Sequence, residues 1–469
     1  MASRYEDTLQ YLWGLRRLGA KSDLTVIRAI LASLGDPQCS FPSIHITGSK
    51  GKGSTAALCA AVLHAAGYRT GLYTSPHMLS YRERTVVDGV PIPKDTVVDL
   101  VELVRETSAS LLQAGTIDRE PTFFEITTAV AFAHFKREHV QAGVIEVGLG
   151  GRLDATNTID APVCAITTLE LEHTEILGPT LTDIAREKAG ILHPGARLVT
   201  GVDSGEGLQE LERVAYGLRV PTWRIGSEIR AERTRQDRES QIVDVQNPLH
   251  HHTGLRIPLL GGFQVLNAGV AVSALDRFAE ATGLTIPEEA YHRGLAQTLW
   301  PGRLERLSEA PCFYADAAHT EMSARALTKS MLEIEPDAPR NRNVVLFSCL
   351  RDKRMGAILE EFSRLADTIV LTELRNDRAM PVKEMERAAR GRFSRILVAP
   401  QIPQALELAR AAVPSGGFLL ATGSTYLISE VEAAVKGVSV EEPRLSDPLP
   451  TTASGAGIAG RTRRSAQQV

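Results

Sequence analysis

The sequence predicts an α/β protein of two doubly wound units, the first larger than the second. Three observations carry this reading. A short β-branched stretch, Ile44 to Thr47, runs into three glycines, two lysines and a serine, and then into an alanine-rich helix from about Ser54 to Ala66. Short apolar runs then alternate with helical patterns, the rhythm that builds parallel sheets. After Pro301-Gly302, a breaker pair, the same rhythm starts again. We therefore expect a nucleotide-binding unit over 1–299, a smaller Rossmann-like unit over 300–437, and a disordered tail over 438–469. That tail is rich in Pro, Ser, Thr and Gly, has no aromatic residue, and ends in Arg461-Thr-Arg-Arg464.

Composition narrows the function. The 469 residues are 43% hydrophobic and 23% charged, enough apolar content for two or three cores. A net charge of −4 gives no general case for nucleic acid or an anionic membrane. Glu6 and Asp7 near the start, without an apolar run, speak against a secretory signal. No stretch approaches the ~20 apolar residues of a membrane span. Cys39, Cys59, Cys164, Cys312 and Cys349 are scattered with no C-x-x-C pair, as expected of reduced thiols in a cytoplasm.

Residues 1–40 read as two amphipathic scaffold helices, with Tyr5, Leu9, Leu12 and Leu15 on one face of the first and Arg16 and Arg17 on its wet side. The glycine loop follows. Strand, glycine-rich turn and helix let backbone N–H groups wrap phosphate oxygens. Gly48, Gly51 and Gly53 allow close approach, Lys52 is placed to reach phosphate, and Ser54 offers a hydroxyl to phosphate or Mg²⁺. The spacing departs from the usual phosphate loop. Two residues separate Gly48 from Gly51, and Gly53 sits between Lys52 and Ser54. An ordinary glycine turn is the alternative.

A strand over Thr70 to Thr74 ends in Ser75-Pro-His77, where Ser75 can ligate a metal and His77 reads as a structural loop residue. Arg82-Glu-Arg84 is either a mobile loop over the site or a solvated charge cluster. Helices are expected over 95–114 and from Glu125 to Lys136. Phe123 and Phe124 beside Glu125 are either core plus cap or a platform for a flat heterocycle. The strand Ala142 to Val147 carries Glu146 at its end, costly to bury unless paired or metal-bound. Val163 to Thr168 is the next strand, with Glu172-His173 beyond it. We expect these two strands to be neighbours, bringing Glu146 and His173 together. The helix from Thr180 carries Arg186-Glu-Lys188, either a solvated face or a site lysine of depressed pKa.

Residues 196–260 read as short strands, a helix near 205–217, and a charged segment over 230–240. His250-His-His252 is a poor metal candidate, because adjacent strand residues point opposite ways. Gln264 and Asn267 fall on one side of the next helix. The second unit has strands expected at 312–316, 344–349, 368–373, 395–399 and 417–422. Its first ends in Asp316-Ala-Ala-His319, polar residues at the carboxyl edge where open α/β sheets bind ligands.

Taken together, the segments Thr47–Ser54, Tyr73–His77, Glu146–Asn157, His173–Gly178, Ile184–Gly190, Pro301–Glu305, Asp316–His319 and Thr422–Ser424 resemble folylpolyglutamate synthase and the bifunctional dihydrofolate synthase, members of the Mur ligase superfamily. The resemblance runs from residue 1 to about 437. It implies a Mur-ligase-type fold and an amide ligase that activates a folate or dihydropteroate carboxylate with ATP and joins it to L-glutamate. It implies that Gly48, Gly51, Lys52, Gly53 and Ser54 bind ATP with Asn267, Arg303 and Asp316. Ser75, Glu146 and His173 would hold one Mg²⁺, and a carbamylated Lys188 a second. Lys52, Lys188 and His319 form the implied catalytic set, His319 near the glutamate side. Thr122, Phe123, Phe124, Glu125, Leu153, Asp154 and Ala155 would line the pterin pocket. The implied enzyme is a cytoplasmic monomer. Ser49, Glu172, Ala317 and Thr320 depart from the family's usual threonine, aspartate, glycine and asparagine. A Mur-type ligase with another acid acceptor is the nearest rival, and a nucleotide-driven switch or transport ATPase the next.

Overall fold

The computed structural model describes residues 3–15 and 23–441. Arg16, Arg17 and the tail from 442 lie outside the described residues. The first unit is an eight-stranded sheet of β1 (Ser43–Thr47), β2 (Thr70–Tyr73), β3 (Thr85–Val87), β4 (Val90–Pro91), β5 (Ala142–Glu146), β6 (Val163–Ile166), β7 (Arg197–Thr200) and β8 (Thr222–Arg224). Their order across the sheet is β4-β3-β2-β5-β1-β6-β7-β8. All pairs are parallel except the β2–β3–β4 edge. Every residue of β1, β5 and β6 is buried, as apolar strands covered by helices on both faces must be. One face packs on the helices Arg4–Gly14, Lys94–Gln113 and Phe123–Arg137. The other packs on Lys52–Ala65 and Gly262–Thr282.

The expected adjacency of the Glu146 and Val163 strands does not hold. β1 lies between β5 and β6 and pairs with both. The strand that feeds the glycine loop takes the centre of the sheet, so Glu146 and His173 flank that loop from either side.

The stretch expected to be a charged segment over 230–240 is mostly strand. β9 (Arg230–Gln236), β10 (Gln241–Gln246) and β11 (His251–Ile257) form an antiparallel sheet against the helix Gly262–Thr282. Charge conceals the strand in the sequence because one face of β9 is wet. Within this sheet His252 is buried between Asp276 (3.1 Å) and Glu288 (2.7 Å) and anchors the sheet, while His250 and His251 are exposed. Tyr291 donates to Asp276 at 2.5 Å and Asn247 to the same carboxylate at 2.6 Å.

The second unit has β12 (Glu305–Glu309), β13 (Cys312–Asp316), β14 (Val344–Phe347), β15 (Thr368–Leu371), β16 (Arg395–Val398) and β17 (Phe418–Thr422), in the order β12-β13-β17-β14-β15-β16. Only β12, the antiparallel edge strand, was not foreseen. The units touch through Arg233–Glu333 (2.8 Å) and Arg238–Glu335 (2.7 Å). After the last helix, Thr425–Lys436, the chain returns to the first unit. There the Glu441 carboxylate accepts from Tyr5 Oη (3.1 Å) and Tyr81 N (2.9 Å).

Candidate active site

The carboxyl ends of both parallel sheets open on one cavity of about 1050 Å³, and every site residue expected from the sequence lines it. At its centre is the glycine loop, which leaves β1 and enters the helix Lys52–Ala65 with Gly53 and Ser54 in the first turn. First-turn N–H groups have no partner within a helix, so they face the cavity as anion donors. The loop is fastened to the end of β6. Ser49 N donates to Thr168 O (2.8 Å), Lys50 N to Thr168 Oγ1 (2.9 Å), and Thr167 Oγ1 to Lys50 O (2.6 Å). Lys52 Nζ lies 3.0 Å from Gly48 O.

Two glycines explain the unusual spacing. Gly51 has φ +85°, and a Cβ there would stand 2.2 Å from Asn267 Oδ1. A Cβ on Gly53 would stand 2.5 Å from Trp300 Cζ2. The glycine after Lys52 is therefore demanded by an indole from the crossing between units. Asn267 in turn donates to Gln264 Oε1 at 2.8 Å, so the pair does face the loop from one side of its helix.

Glu146 Oε2 accepts from Ser75 N at 3.2 Å. Ser75 Oγ beside it is buried and has no hydrogen-bond partner among the described residues. His173 follows β6 with φ 53° and a one-third exposed ring. Burial, with Lys52 and Lys50 opposing the help of Glu172, lowers its pKa to about 4 and leaves the imidazole neutral. Among the described residues, no three His, Cys, Asp or Glu side chains group as a metal cluster. The expected set has only two such side chains and a serine.

The charged triplet before Gly190 splits three ways. Arg186 pairs with Glu210 and Glu187 with Arg152, while Lys188 turns inward at 4% exposure. Burial and the Lys52 charge push its amine down to about 7. The solvated-face alternative therefore applies to Arg186 and not to Lys188.

Arg82–Arg84 is no solvated cluster. Arg84 is wholly buried, donates to His77 Nδ1 (2.8 Å) and lies 5.2 Å from the Phe123 ring centre. Glu83 accepts from the N–H groups of Met78 (2.8 Å), Leu79 and Ser80. Phe123 belongs to the core at 2% exposure, whereas Phe124 is half-buried at the cavity wall. Glu125 is a helix cap that accepts from Thr122 N and pairs with Arg119 through two 2.8 Å bonds. Asp154 accepts from Leu149 N and Thr156 N, ordering the glycine turn after β5. Core plus cap therefore describes Phe123 and Glu125, and the platform alternative is left to Phe124.

From the second unit, Asp316 accepts from Leu304 N and Ala318 N, both at 2.8 Å. Burial pushes its carboxyl up to about 6 against the pull of Arg303. His319 Nδ1 lies 2.8 Å from Ala317 O, which places a proton on Nδ1 and leaves Nε2 facing Glu172 at 3.8 Å. Thr320 caps the helix Glu321–Ile334, a service threonine performs a little less well than asparagine.

Sequence reasoning missed Lys50, Arg119, Lys353 and Arg378 in the cavity wall. The last two follow β14 and β15, at carboxyl edges where polar residues invite attention.

With this geometry in view, similarity to known proteins becomes informative. Residues 46–275 match the Mur ligase middle domain and residues 302–425 the Mur ligase, glutamate ligase domain. A dihydrofolate synthase/folylpolyglutamate synthase of Bacillus subtilis is 30% identical over 93% of this chain and 100% of its own length. The chain belongs to the folylpolyglutamate synthase family. A bifunctional folylpolyglutamate synthase/dihydropteroate synthase of Haloferax volcanii is 32% identical over 98% of this chain, which spans only 54% of that longer protein. The Mycobacterium tuberculosis folylpolyglutamate synthase solved with ADP superposes with a TM-score of 0.84 at 31% identity, covering 93% of this chain and 99% of that one. The folylpolyglutamate synthase family thus has a member of this architecture with a nucleotide bound.

Proposed function

We propose that this chain is an ATP-dependent ligase that adds L-glutamate to a folate carboxylate, and to dihydropteroate. One observation carries the reading. A glycine–lysine loop at a helix N-terminus in one unit faces Arg303 and Asp316 of the other across a single cavity large enough for nucleotide and acceptor together.

A carboxylate is a poor electrophile, so the γ-phosphoryl of ATP passes first to the folate carboxylate. The P–O bond to ADP breaks as an acyl phosphate forms. The glutamate amine then attacks the acyl carbon, phosphate leaves with the bonding pair, and the amine loses a proton. The loop N–H groups and Lys52 offset charge on the phosphoryl oxygens. Arg303 and Asp316 hold the nucleotide from the second unit, and Asn267 holds it from the first. Phe124 and the Leu153–Ala155 turn present a wall for the flat pterin ring. His319, whose Nε2 is turned to Glu172, faces the side from which the amine arrives. Closure of the units keeps water from the acyl phosphate.

The residues present fit a Mg²⁺ ion. An orphaned buried hydroxyl on Ser75 stands beside the Glu146 carboxylate, with a neutral imidazole at His173, and hard oxygen donors suit this cation. Bound there, Mg²⁺ supplies charge neutralisation for phosphoryl transfer. Lys188, its amine easily neutral, is suited to add CO₂ and lose a proton, which makes it an oxygen ligand for a second ion. Five free thiols fit a reducing compartment such as the cytoplasm.

The test measures ADP release by the full chain with MgATP and L-glutamate, offering dihydropteroate, tetrahydrofolate or a muramyl precursor. Release with a pterin acceptor and a new amide by mass spectrometry is expected. Release with the muramyl precursor alone would overturn the folate reading.

A further inference from the structure

We propose that Glu172 is a positioning residue whose one carboxylate clamps the phosphate loop through Lys50 and receives His319 of the second unit, so that loop shape and lobe approach are set together. The inference rests on the ligase reading above and goes beyond it.

The geometry is as follows. Glu172 Oε1 accepts from Lys50 Nζ at 2.7 Å, with both side chains mostly buried at 17% and 26% exposure. The same oxygen lies 3.8 Å from His319 Nε2 and 3.9 Å from His173 Nε2. Lys50 is thereby held on three sides, its N and O by Thr168 and Thr167 and its ammonium by Glu172. All three restraints come from one short segment after β6, and that segment continues into His173. A charge-assisted bond of this length is among the stronger polar contacts a protein makes. It draws Lys50 aside, leaving Lys52 as the lysine that curls over the loop. Without it Lys50 would join Lys52 as a free cation over the cavity, and His319, when its Nε2 carries a proton, would lose the carboxylate it meets across the cleft.

The experiment uses the full chain and the variants Glu172→Gln, Glu172→Asp and Lys50→Met, singly and as the Lys50→Met/Glu172→Gln pair. Three readouts are taken: affinity for the non-hydrolysed analogue AMPPCP, kcat and KM for ligation, and the change in radius of gyration by X-ray scattering when AMPPCP is added. Glu172→Gln keeps shape and loses charge. AMPPCP affinity should stay within about threefold, because backbone N–H groups make most of the cradle, while kcat falls about tenfold or more. Nucleotide-induced compaction should be lost. Glu172→Asp keeps charge but falls short by one methylene and should retain part of both. The double variant should be no worse than the poorer single one, the mark of a shared interaction. A Glu172→Gln chain that compacts like the parent and keeps kcat within about twofold would overturn the inference. So would additive losses in the double variant. A parent chain that compacts on AMPPCP yet ligates nothing would refute the ligase reading and leave this clamp to be judged by scattering alone.

Discussion

At the scale of single residues the loop and its neighbours make sharp demands. Gly53→Ala sets a methyl 2.5 Å from the Trp300 ring, so either the indole or the first helical turn must move. We expect nucleotide affinity to fall about tenfold or more, with the melting temperature lowered only slightly, as read by calorimetric titration. Lys188 makes a different demand. Its amine titrates near 7, so it can combine with CO₂ when neutral and cannot below that range. Activation by bicarbonate should therefore rise as pH passes upward through about 7. Lys188→Ala should lose activity about a hundredfold or more and regain part of it with added short carboxylates; an unaffected variant would exclude the carbamate. These roles were legible to different degrees. Lys52 and Ser54 announce themselves by their place after a strand and a glycine turn. Lys188 does not, because nothing in Arg186-Glu-Lys188 tells which of three charged neighbours turns inward. That is decided by what packs on the helix.

At the scale of elements the antiparallel sheet β9–β11 shows how a buried charge fastens one layer to another. The His252 ring is withdrawn from water, which disfavours its charged form, yet Asp276 and Glu288 overcome this and raise its pKa above the ordinary 6.5. A histidine with a raised folded pKa contributes stability that is complete below the unfolded value and fades as pH climbs through the folded one. The chain should therefore lose melting temperature as pH rises above about 6.5, and His252→Gln should flatten that slope. Removing the ring altogether, by His252→Ala, leaves two carboxylates facing each other without their cation and should cost about 3 kcal/mol in denaturant unfolding. The elements themselves were read well where pattern speaks plainly. The five parallel strands of the second unit were placed to within a residue or two, because each is a short apolar run, buried along most of its length in all but the edge strand β16. The strand β9, with arginine at 230, 233 and 235, was hidden by its wet face. The adjacency of β5 and β6 failed for another reason: strand order depends on which crossover passes over which, and no local run of residues encodes it.

At the scale of the whole molecule the two units are held together by ion pairs and by apolar side chains of the first, Met78, Leu260 and Phe263, that pack on the cores of the second. Arg233–Glu333 and Arg238–Glu335 bridge the small antiparallel sheet to the second unit. Arg233–Glu333 is in part reached by solvent and should contribute about 1 kcal/mol or less, shrinking with added salt. Arg238 matters more, because Glu335 is buried and also takes the Tyr314 hydroxyl at 2.7 Å. In Arg238→Ala we expect scanning calorimetry to resolve separate melting of the two units where the parent gives one transition. The opening reading of two units came from punctuation at Pro301-Gly302. The cavity between them could not be read that way, since Arg303 and Lys50 are far apart in the chain and line one cavity only after both sheets have formed.

The return of Glu441 to Tyr5 and Tyr81 gives the chain a second crossing beside the Leu299–Arg303 one, for Glu441 N donates to Leu79 O while the preceding residue, Met78, lies against Gly302. A lobe hung from one thread can swing any way; hung from two, it turns only about the line joining them. With both crossings side by side, the polypeptide is stitched along one edge of the nucleotide cavity, which Met78 and Arg303 both line.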